Sequence, residues 1–266
     1  MIRDITIGQY YPADSVVHKL DPRVKLMATV CYLISLFLFR NAAGLAVVTL
    51  GLAAMVWLSK VPFGYMVKGL KAILVILIIS TLFQLFLTPG ETLVAFWKLK
   101  ITRQGLRNAG FMIVRLTYLI MGSSLLTLTT TPNQLTDGLE KALKPLGKVH
   151  VPVHEVTMMM SIALRFIPIL IEETDKIMKA QLARGADFES GNLIRKAKSM
   201  LPLLVPLFIS AFRRANDLAM AMEARCYRGG VGRTKMKPLV YHRRDAMAYL
   251  AVVGYFAAVI AVRLLF

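Results

Sequence analysis

The sequence is poor in cysteine and in acidic residues. Its 266 residues include two cysteines, Cys31 and Cys226, so a scaffold held together by several disulfides is excluded. Asp and Glu number 15 against 33 Lys and Arg, which gives a formal net charge of +18. A soluble nucleic-acid binder would explain that charge, but it would not explain a hydrophobic fraction of 56%. A chain that is both apolar and basic is typical of a multi-span membrane protein with basic cytoplasmic loops.

A phosphate-binding loop is also missing from the sequence. The nearest approach to Gly-x-x-x-x-Gly-Lys-Ser/Thr is Gly147-Lys148, which lacks the following hydroxyl residue that binds Mg²⁺ in such loops. His150 and His154 have a spacing that can bind zinc, but Pro152 lies between them and no third ligand is near. We therefore expect no enzyme activity, no cofactor and no metal site, and we expect any ATP hydrolysis to occur in partner subunits.

Five uncharged stretches have about the length that a transmembrane helix needs. A helix of about 20 residues crosses the roughly 30 Å hydrocarbon core of a bilayer. Flanking Lys and Arg side chains can reach the interface and so extend the two shorter stretches. We predict an all-α membrane protein with about five transmembrane helices, within residues 26–39, 41–59, 72–90, 116–136 and 246–262.

Residues 132–242 have a different composition, in which apolar positions alternate with charges of both signs. They contain an excess of Lys and Arg, and basic segments of membrane proteins stay in the cytoplasm. We therefore predict three segments: an N-terminal segment with four transmembrane helices (1–131), a cytoplasmic domain of long helices (132–242) and a C-terminal transmembrane helix (243–266).

Two long helices predicted within this domain end in the same short motif. One copy alone is explained as an ordinary helix end, because Arg complements the helix dipole and Gly is a common C-cap. Two copies indicate a binding role, because each planar guanidinium can pair with two carboxylate oxygens. Two such groups suit an acidic partner with two-fold or pseudo-two-fold symmetry. The two copies, which align without a gap, are Ala183-Arg184-Gly185 and Ala224-Arg225-Cys226.

The second of these helices also has an apolar run and a ridge of small residues four positions apart. Small ridges allow another helix to approach closely in a membrane, which predicts a binding surface for a membrane partner. Packing among the long helices themselves is the alternative interpretation. The residues of this surface are Met200, Leu204, Phe208, Ala211, Ala215 and Ala219.

The chain resembles the transmembrane (T) component of energy-coupling factor transporters, which are ABC-type importers of vitamins and transition-metal ions. The likeness is carried by the two Ala-Arg-small motifs, by the order of four spans, a long cytoplasmic region and a final span, and by the N-terminal stretch from Gly8-Gln9-Tyr10 to Asp21-Pro22-Arg23. Cys226 departs from the Gly or Ser that the family often has at that position. The resemblance covers nearly the whole chain.

The resemblance implies a coupling role between two kinds of partner. It implies that Arg184 and Arg225, with the residues beside them, dock into two ATPase subunits at the tips of crossed coupling helices. It also implies that the membrane part and the coupling helices hold a small membrane protein, the S component, which binds the substrate; the apolar surface from Met200 to Ala219 is then the expected contact. The protein is then a multi-pass component of a bacterial or archaeal plasma membrane. Which vitamin or metal ion is carried, and whether several S components share the chain, is not encoded in it.

Two other functions fit the sequence less well. A secondary carrier or channel would need polar groups within the spans or inverted repeats, and neither is evident. A membrane-anchored nucleic-acid binder would need aromatic residues interleaved with the basic ones, and Phe188, Tyr227 and Tyr241 are too sparse for a stacking platform. We therefore expect lipid, ATPase subunits and an S component as partners, and no nucleic acid.

Overall fold

The computed structural model of the chain describes residues 10–39, 41–96, 99–145, 152–188, 192–229, 236 and 238–265. Within them the predicted helical membrane fold is confirmed, with one short antiparallel hairpin as an addition. The elements are α1 (Pro22–Leu38), α2 (Ala42–Ser59), α3 (Phe63–Leu87), β1 (Thr92–Phe96), β2 (Leu99–Thr102), α4 (Arg103–Thr129), α5 (Pro132–Leu143), α6 (Val153–Ala183), α7 (Leu193–Ser199), α8 (Leu201–Ala224) and α9 (Arg243–Leu265).

The fourth helix lies earlier in the chain than its predicted span, 116–136. Thr102 starts α4 as an N-cap, because its side chain accepts a hydrogen bond from the N–H of Gly105 at 3.0 Å. We predicted a later start because Arg115 was placed at the beginning of the fourth span, with its charge at the membrane interface. The Arg115 guanidinium instead donates to the carbonyl oxygens of Leu36 (2.9 Å) and Phe39 (3.2 Å) at the end of α1, so α4 accommodates its charge.

Length and composition make several of the described helices candidates for membrane spans. They are α2, α4, α6 and α9, and α3 is a fifth if its two parts, bent by 65° between Phe63–Lys71 and Ile73–Leu87, form one span. α1 has 17 residues, or about 26 Å, and so falls slightly short of a typical hydrocarbon core. α6 is the candidate that we did not predict, because we placed residues 132–242 in the cytoplasm.

The described chain forms two compact units. In the first, Gly8–Ala142 with Leu239–Phe266, α1 packs on α4 and α9, α3 packs on α4, and α2 packs on α4 and α9. In the second, which includes Leu143–Pro238, α6 packs on α8. Packing does not report the position of a bilayer, so the predicted membrane boundaries after residues 131 and 242 stay predictions.

Buried polar groups fasten the segment before α1 to the ends of two other helices. Lys25 is 5% exposed, and its Nζ donates to the carbonyl oxygens of His18 (3.0 Å) and Thr129 (2.9 Å). Asp245, 1% exposed at the start of α9, accepts the N–H of Asp21 at 2.9 Å. Because buried polar groups are costly unless they are paired, these bonds hold the starts of α1 and α9 beside the end of α4.

The Asp21-Pro22-Arg23 stretch, which carried part of the family likeness, has a structural role here. Asp21 caps α1 and receives two hydrogen bonds of 2.9 Å from the Arg23 side chain. Burial alone would raise the pKa of Asp21, but the hydrogen bonds and charge of Arg23 lower it overall. The Arg23 guanidinium also lies 3.8 Å from the ring centre of Tyr241, just before α9.

Candidate docking sites

α6 and α8 run antiparallel, and three side-chain contacts establish their direction. As the residue numbers on α6 rise, the numbers of their partners at α8 fall. The C-terminal end of each helix therefore lies beside the N-terminal part of the other, and the two arginine motifs are at opposite ends of the pair. The contacts are Tyr227 Oη to Met158 Sδ (3.1 Å), Arg214 Nη2 to Glu173 Oε2 (2.8 Å) and Gln181 Nε2 to the carbonyl oxygen of Pro202 (3.4 Å).

The first motif ends α6 in a Schellman turn. Arg184 is the C-cap, with φ −87° and ψ 6°, and Gly185 follows in the left-handed region with φ +83°. The N–H of Gly185 donates to Leu182 at 3.0 Å, and the N–H of the next residue, Ala186, donates to Gln181 at 3.0 Å. Glycine suits the left-handed position because it has no Cβ to clash with the backbone.

The second motif ends α8 in the same turn. Arg225 is the C-cap, with φ −92° and ψ 13°, and Cys226 occupies the left-handed position with φ +54°. The N–H of Cys226 donates to Glu223 at 2.8 Å, and the N–H of Tyr227 donates to Met222 at 3.0 Å. The repeat of the arginine motif is therefore a repeat of backbone geometry as well as of sequence.

Both arginine side chains are free to meet a partner. Arg184 and Arg225 are exposed, and among the described residues neither guanidinium makes a hydrogen bond or an ion pair. Ala183 and Ala224, which precede them, are exposed as well. Each end of the α6–α8 pair thus presents an exposed arginine next to a small side chain, which leaves room for a groove with acidic residues to close around the guanidinium.

The left-handed backbone conformation of Cys226 predicts how a substitution there changes the stability of the end of α8. A side chain in this conformation costs about 1–2 kcal/mol relative to glycine, and part of the gain on changing it to glycine is lost to the greater freedom of the unfolded chain. We expect Cys226→Gly to stabilise the end of α8 by roughly 0.5–1 kcal/mol. Hydrogen exchange at the Tyr227 amide, measured in the full chain, should slow by about 2- to 5-fold.

The matched change at the other end has the opposite expected sign. Gly185→Ala places a Cβ at φ +83°, so exchange at the Ala186 amide should become faster. If neither substitution changed the exchange rate of the amide that it is expected to affect, the assignment of strain to Cys226 would be contradicted.

The residues predicted to bind the S component lie on one exposed side of α8. Met200, Leu204 and Phe208 are exposed by 51%, 44% and 61%, and no residue of α8 is buried. Ala215 and Ala219 are exposed and Ala211 is partly buried. On an α-helix these six positions fall within an arc of about 100°, so they form one continuous surface.

The exposed apolar surface of α8 is wider than predicted. It continues over a neighbouring stripe of large apolar side chains. The first three of these residues, Leu201, Val205 and Ile209, are four positions apart in the sequence, so the stripe could have been predicted from that spacing. A soluble chain rarely leaves so many large apolar side chains uncovered on one helix, which indicates contact with lipid or a partner. The additional residues are Leu201, Val205, Ile209 and Phe212, with exposures of 50–68%.

The possible histidine pair yields no site that can be described. His150 lies outside the described residues, and His154 at the start of α6 is partly buried and has a bonding partner. Over the described parts of the chain, no three His, Cys, Asp or Glu side chains come together as metal ligands would.

The chain is similar to known proteins over most of its length. Residues 13–237 match the CbiQ family of cobalt transport proteins. The chain is similar to three proteins named energy-coupling factor transporter transmembrane protein EcfT. That of Clostridium kluyveri is 57% identical over 94% of this chain and 93% of its own length. That of Thermosediminibacter oceani is 52% identical over 94% of both chains, and that of Lactococcus lactis subsp. cremoris is 43% identical over 95% of both. The chain therefore belongs to the family of transmembrane (T) components of energy-coupling factor transporters, and it is a membrane transport protein.

Proposed function

We propose that this T component couples two ATPase subunits to a substrate-binding S component and so drives uptake of a vitamin or another micronutrient. The observation that carries the proposal is the pair of turns with the same hydrogen-bond pattern, each presenting an exposed arginine, at opposite ends of the α6–α8 pair. One arginine at a helix end has an ordinary explanation in the helix dipole, whereas the repeated geometry calls for a repeated partner.

The separation of the tips supports two docking sites. Arg184 and Arg225 each lie eleven residues beyond the Glu173–Arg214 contact, so the tips are about 33 Å apart if the helices are straight and nearly antiparallel. One acidic groove cannot receive two side chains at that distance. Two similar ATPase subunits related by a two-fold axis would present two equivalent grooves, one for each arginine.

The charge distribution along α6 supports a cytoplasmic position for the tips. The first part of α6 is apolar enough to be a candidate span, whereas its last 12 residues contain five charged side chains, Glu172, Glu173, Asp175, Lys176 and Lys179. Charged side chains are energetically costly in hydrocarbon, so these 12 residues are expected outside the bilayer core. The excess of Lys and Arg in residues 132–242 favours the cytoplasmic side, where ATP is available.

The exposed apolar surface of α8 supports binding of the S component. Its stripe of large side chains continues into Ala215 and Ala219, which would allow a helix of the partner to approach closely. The ATPase site at Arg225 and the S-component site would then share one helix, and movement of that tip would be transmitted along α8 to the bound S component.

Purification of the tagged chain from membranes tests the proposed function. We expect two ATPase subunits and one small, hydrophobic membrane protein to remain bound in a stable complex, and we expect the ATPases to leave before the membrane protein when salt is raised, because the arginine contacts are ionic. Retained ATPases would also place both tips in the cytoplasm. A chain that purifies alone from membranes containing these subunits, or with a nucleic acid, would contradict the proposal.

A further inference from the structure

The ion pair between α6 and α8 joins two residues that the sequence repeat makes equivalent. The alignment that places Arg184 over Arg225 also places Glu173 over Arg214, without a gap. These two side chains are in contact, with 2.8 Å between Oε2 and Nη2. When two antiparallel helices are related by a two-fold axis, a residue touches its own equivalent only at the axis. The ion pair therefore marks a pseudo-two-fold axis of the α6–α8 pair.

The two charges that meet at this axis are opposite in sign. Two identical helices related by an exact two-fold axis could not form such a pair. Identical helices would place like charges against each other at the axis, where they would repel. Here one copy of the repeat has Glu and the other has Arg, so the central contact is attractive. Glu173 and Arg214 are partly buried, with side chains 26% and 36% exposed, and among the described residues the buried Arg214 Nε has no hydrogen-bond partner. Loss of either charge would leave the other facing the opposite helix unpaired.

The two helix segments that lead from the ion pair to the arginine tips are equal in length, and neither is interrupted by a helix-breaking residue. Each runs eleven residues to its arginine, and neither contains Gly or Pro before the C-cap. The prolines within these helices, Pro168 in α6 and Pro202 and Pro206 in α8, all precede the ion pair. Bends caused by proline are therefore confined to the parts of the helices away from the tips, and the outer segments are stiff arms of about 16 Å.

We propose that the Glu173–Arg214 ion pair is the pivot that sets how α6 and α8 cross, and with it the separation and direction of the two arginine tips. The pair acts through the arms and touches neither partner, so its residues position the docking arginines. The functional part of this inference rests on the proposed ATPase docking, while the geometric part concerns this chain alone. A rotation of about 20° at the pivot would move a tip by about 5 Å, enough to misplace a bidentate contact.

Distance measurement between the arms tests the pivot in the full chain. Spin labels at Leu182→Cys and Val205→Cys, in a chain with Cys31→Ser and Cys226→Gly, occupy exposed positions nine residues from the ion pair at the same end of the α6–α8 pair, where a change in crossing angle alters their separation directly. In lipid nanodiscs we expect Glu173→Gln and Arg214→Ala to shift the mean label distance by about 3–5 Å or to double its spread. The exchange Glu173→Arg with Arg214→Glu restores the attraction and should restore the distribution.

Matched controls lie one position earlier on each helix. Glu172 and Arg213 have the same side chains, are exposed, and take part in no ion pair within the described residues. Glu172→Gln and Arg213→Ala should leave the label distance unchanged. An unchanged distance in Glu173→Gln and Arg214→Ala, or a shift of equal size in the controls, overturns the pivot.

A second measurement separates the pivot from the proposed function. In the purified transporter we expect Glu173→Gln to lower substrate transported per ATP hydrolysed by about 2- to 5-fold, the range of a partly exposed ion pair worth about 0.5–1 kcal/mol, and we expect the charge exchange to recover it. A shifted distance with normal transport and normal ATPase retention would uphold the pivot geometry and overturn ATPase docking at the tips. A normal distance with impaired transport would overturn the pivot and leave the docking proposal intact.

Discussion

Replacing Arg184 and Arg225 together with alanine is expected to release both ATPase subunits and to abolish uptake. Each exposed guanidinium is proposed to enter an acidic groove, so its removal leaves partner carboxylates unpaired at a cost of about 2–5 kcal/mol per site. A single replacement leaves the other tip engaged, and we expect it to keep part of the complex while losing much of the transport. The double replacement should cost more than the sum of the two, because one bound tip raises the effective concentration of the other.

The geometry of the contact can be separated from its charge. Arg→Lys at either tip keeps the positive charge and loses the planar fork, so its effect should lie between those of wild type and alanine. Arg165→Ala on α6 and Arg213→Ala on α8 remove exposed arginines away from the tips and serve as controls. If the tip arginines only complement the helix dipole, the double alanine variant loses up to about 1 kcal/mol of local stability at each end and retains both ATPases. That result, measured on the purified membrane complex, would remove the central proposal.

Local sequence patterns predicted most of the long helices, but only some of their ends. The membrane spans follow from uncharged length, and the end of α6 follows from Gly185, which marks a C-cap in almost any context. The second long helix was expected to run from about Asn192 to Arg228 and to end at Gly229-Gly230, because glycine is the usual C-cap residue and a cysteine such as Cys226 rarely adopts positive φ. The structure divides this segment into α7 and α8 and ends α8 at Ala224. The start of α4 was misplaced because Arg115 was judged by its charge alone, without the carbonyl oxygens at the end of α1 that receive it.

Contacts between distant residues were the part that the sequence did not reveal. The repeat of the arginine motif was visible, but it gave no direction for α8 against α6, so the meeting of Glu173 with Arg214 was not predicted. The same holds for the bonds from Lys25 to His18 and Thr129, since they depend on how three separate segments converge. Periodicity specifies which side of a helix is apolar, whereas the partner on that side depends on tertiary packing.

Replacing the small residues of α8 with larger ones should weaken binding of the S component and leave binding of the ATPase subunits unchanged. Ala215 and Ala219 are exposed, so phenylalanine at either position is tolerated in the free chain and protrudes only where a partner helix would lie. We expect Ala215→Phe or Ala219→Phe to reduce association with the S component by about 1–3 kcal/mol, which is the usual cost of excess volume in a close-packed contact. The tips are unchanged, so both ATPases should stay bound.

The control variant for this prediction, and the variants whose results would contradict it, all carry substitutions on α8. Ala221 is exposed on a different side of the helix, so Ala221→Phe adds the same volume without reaching the proposed surface and should leave the S component bound. Subunit ratios in complexes purified from membranes measure each variant. Loss of the ATPases with the S component retained in Ala215→Phe would show that the two surfaces are assigned the wrong way round. Loss of the S component in Phe212→Ala but not in Ala219→Phe would move the contact to the stripe of large side chains, where removal of a buried aromatic ring costs more than added bulk at the edge.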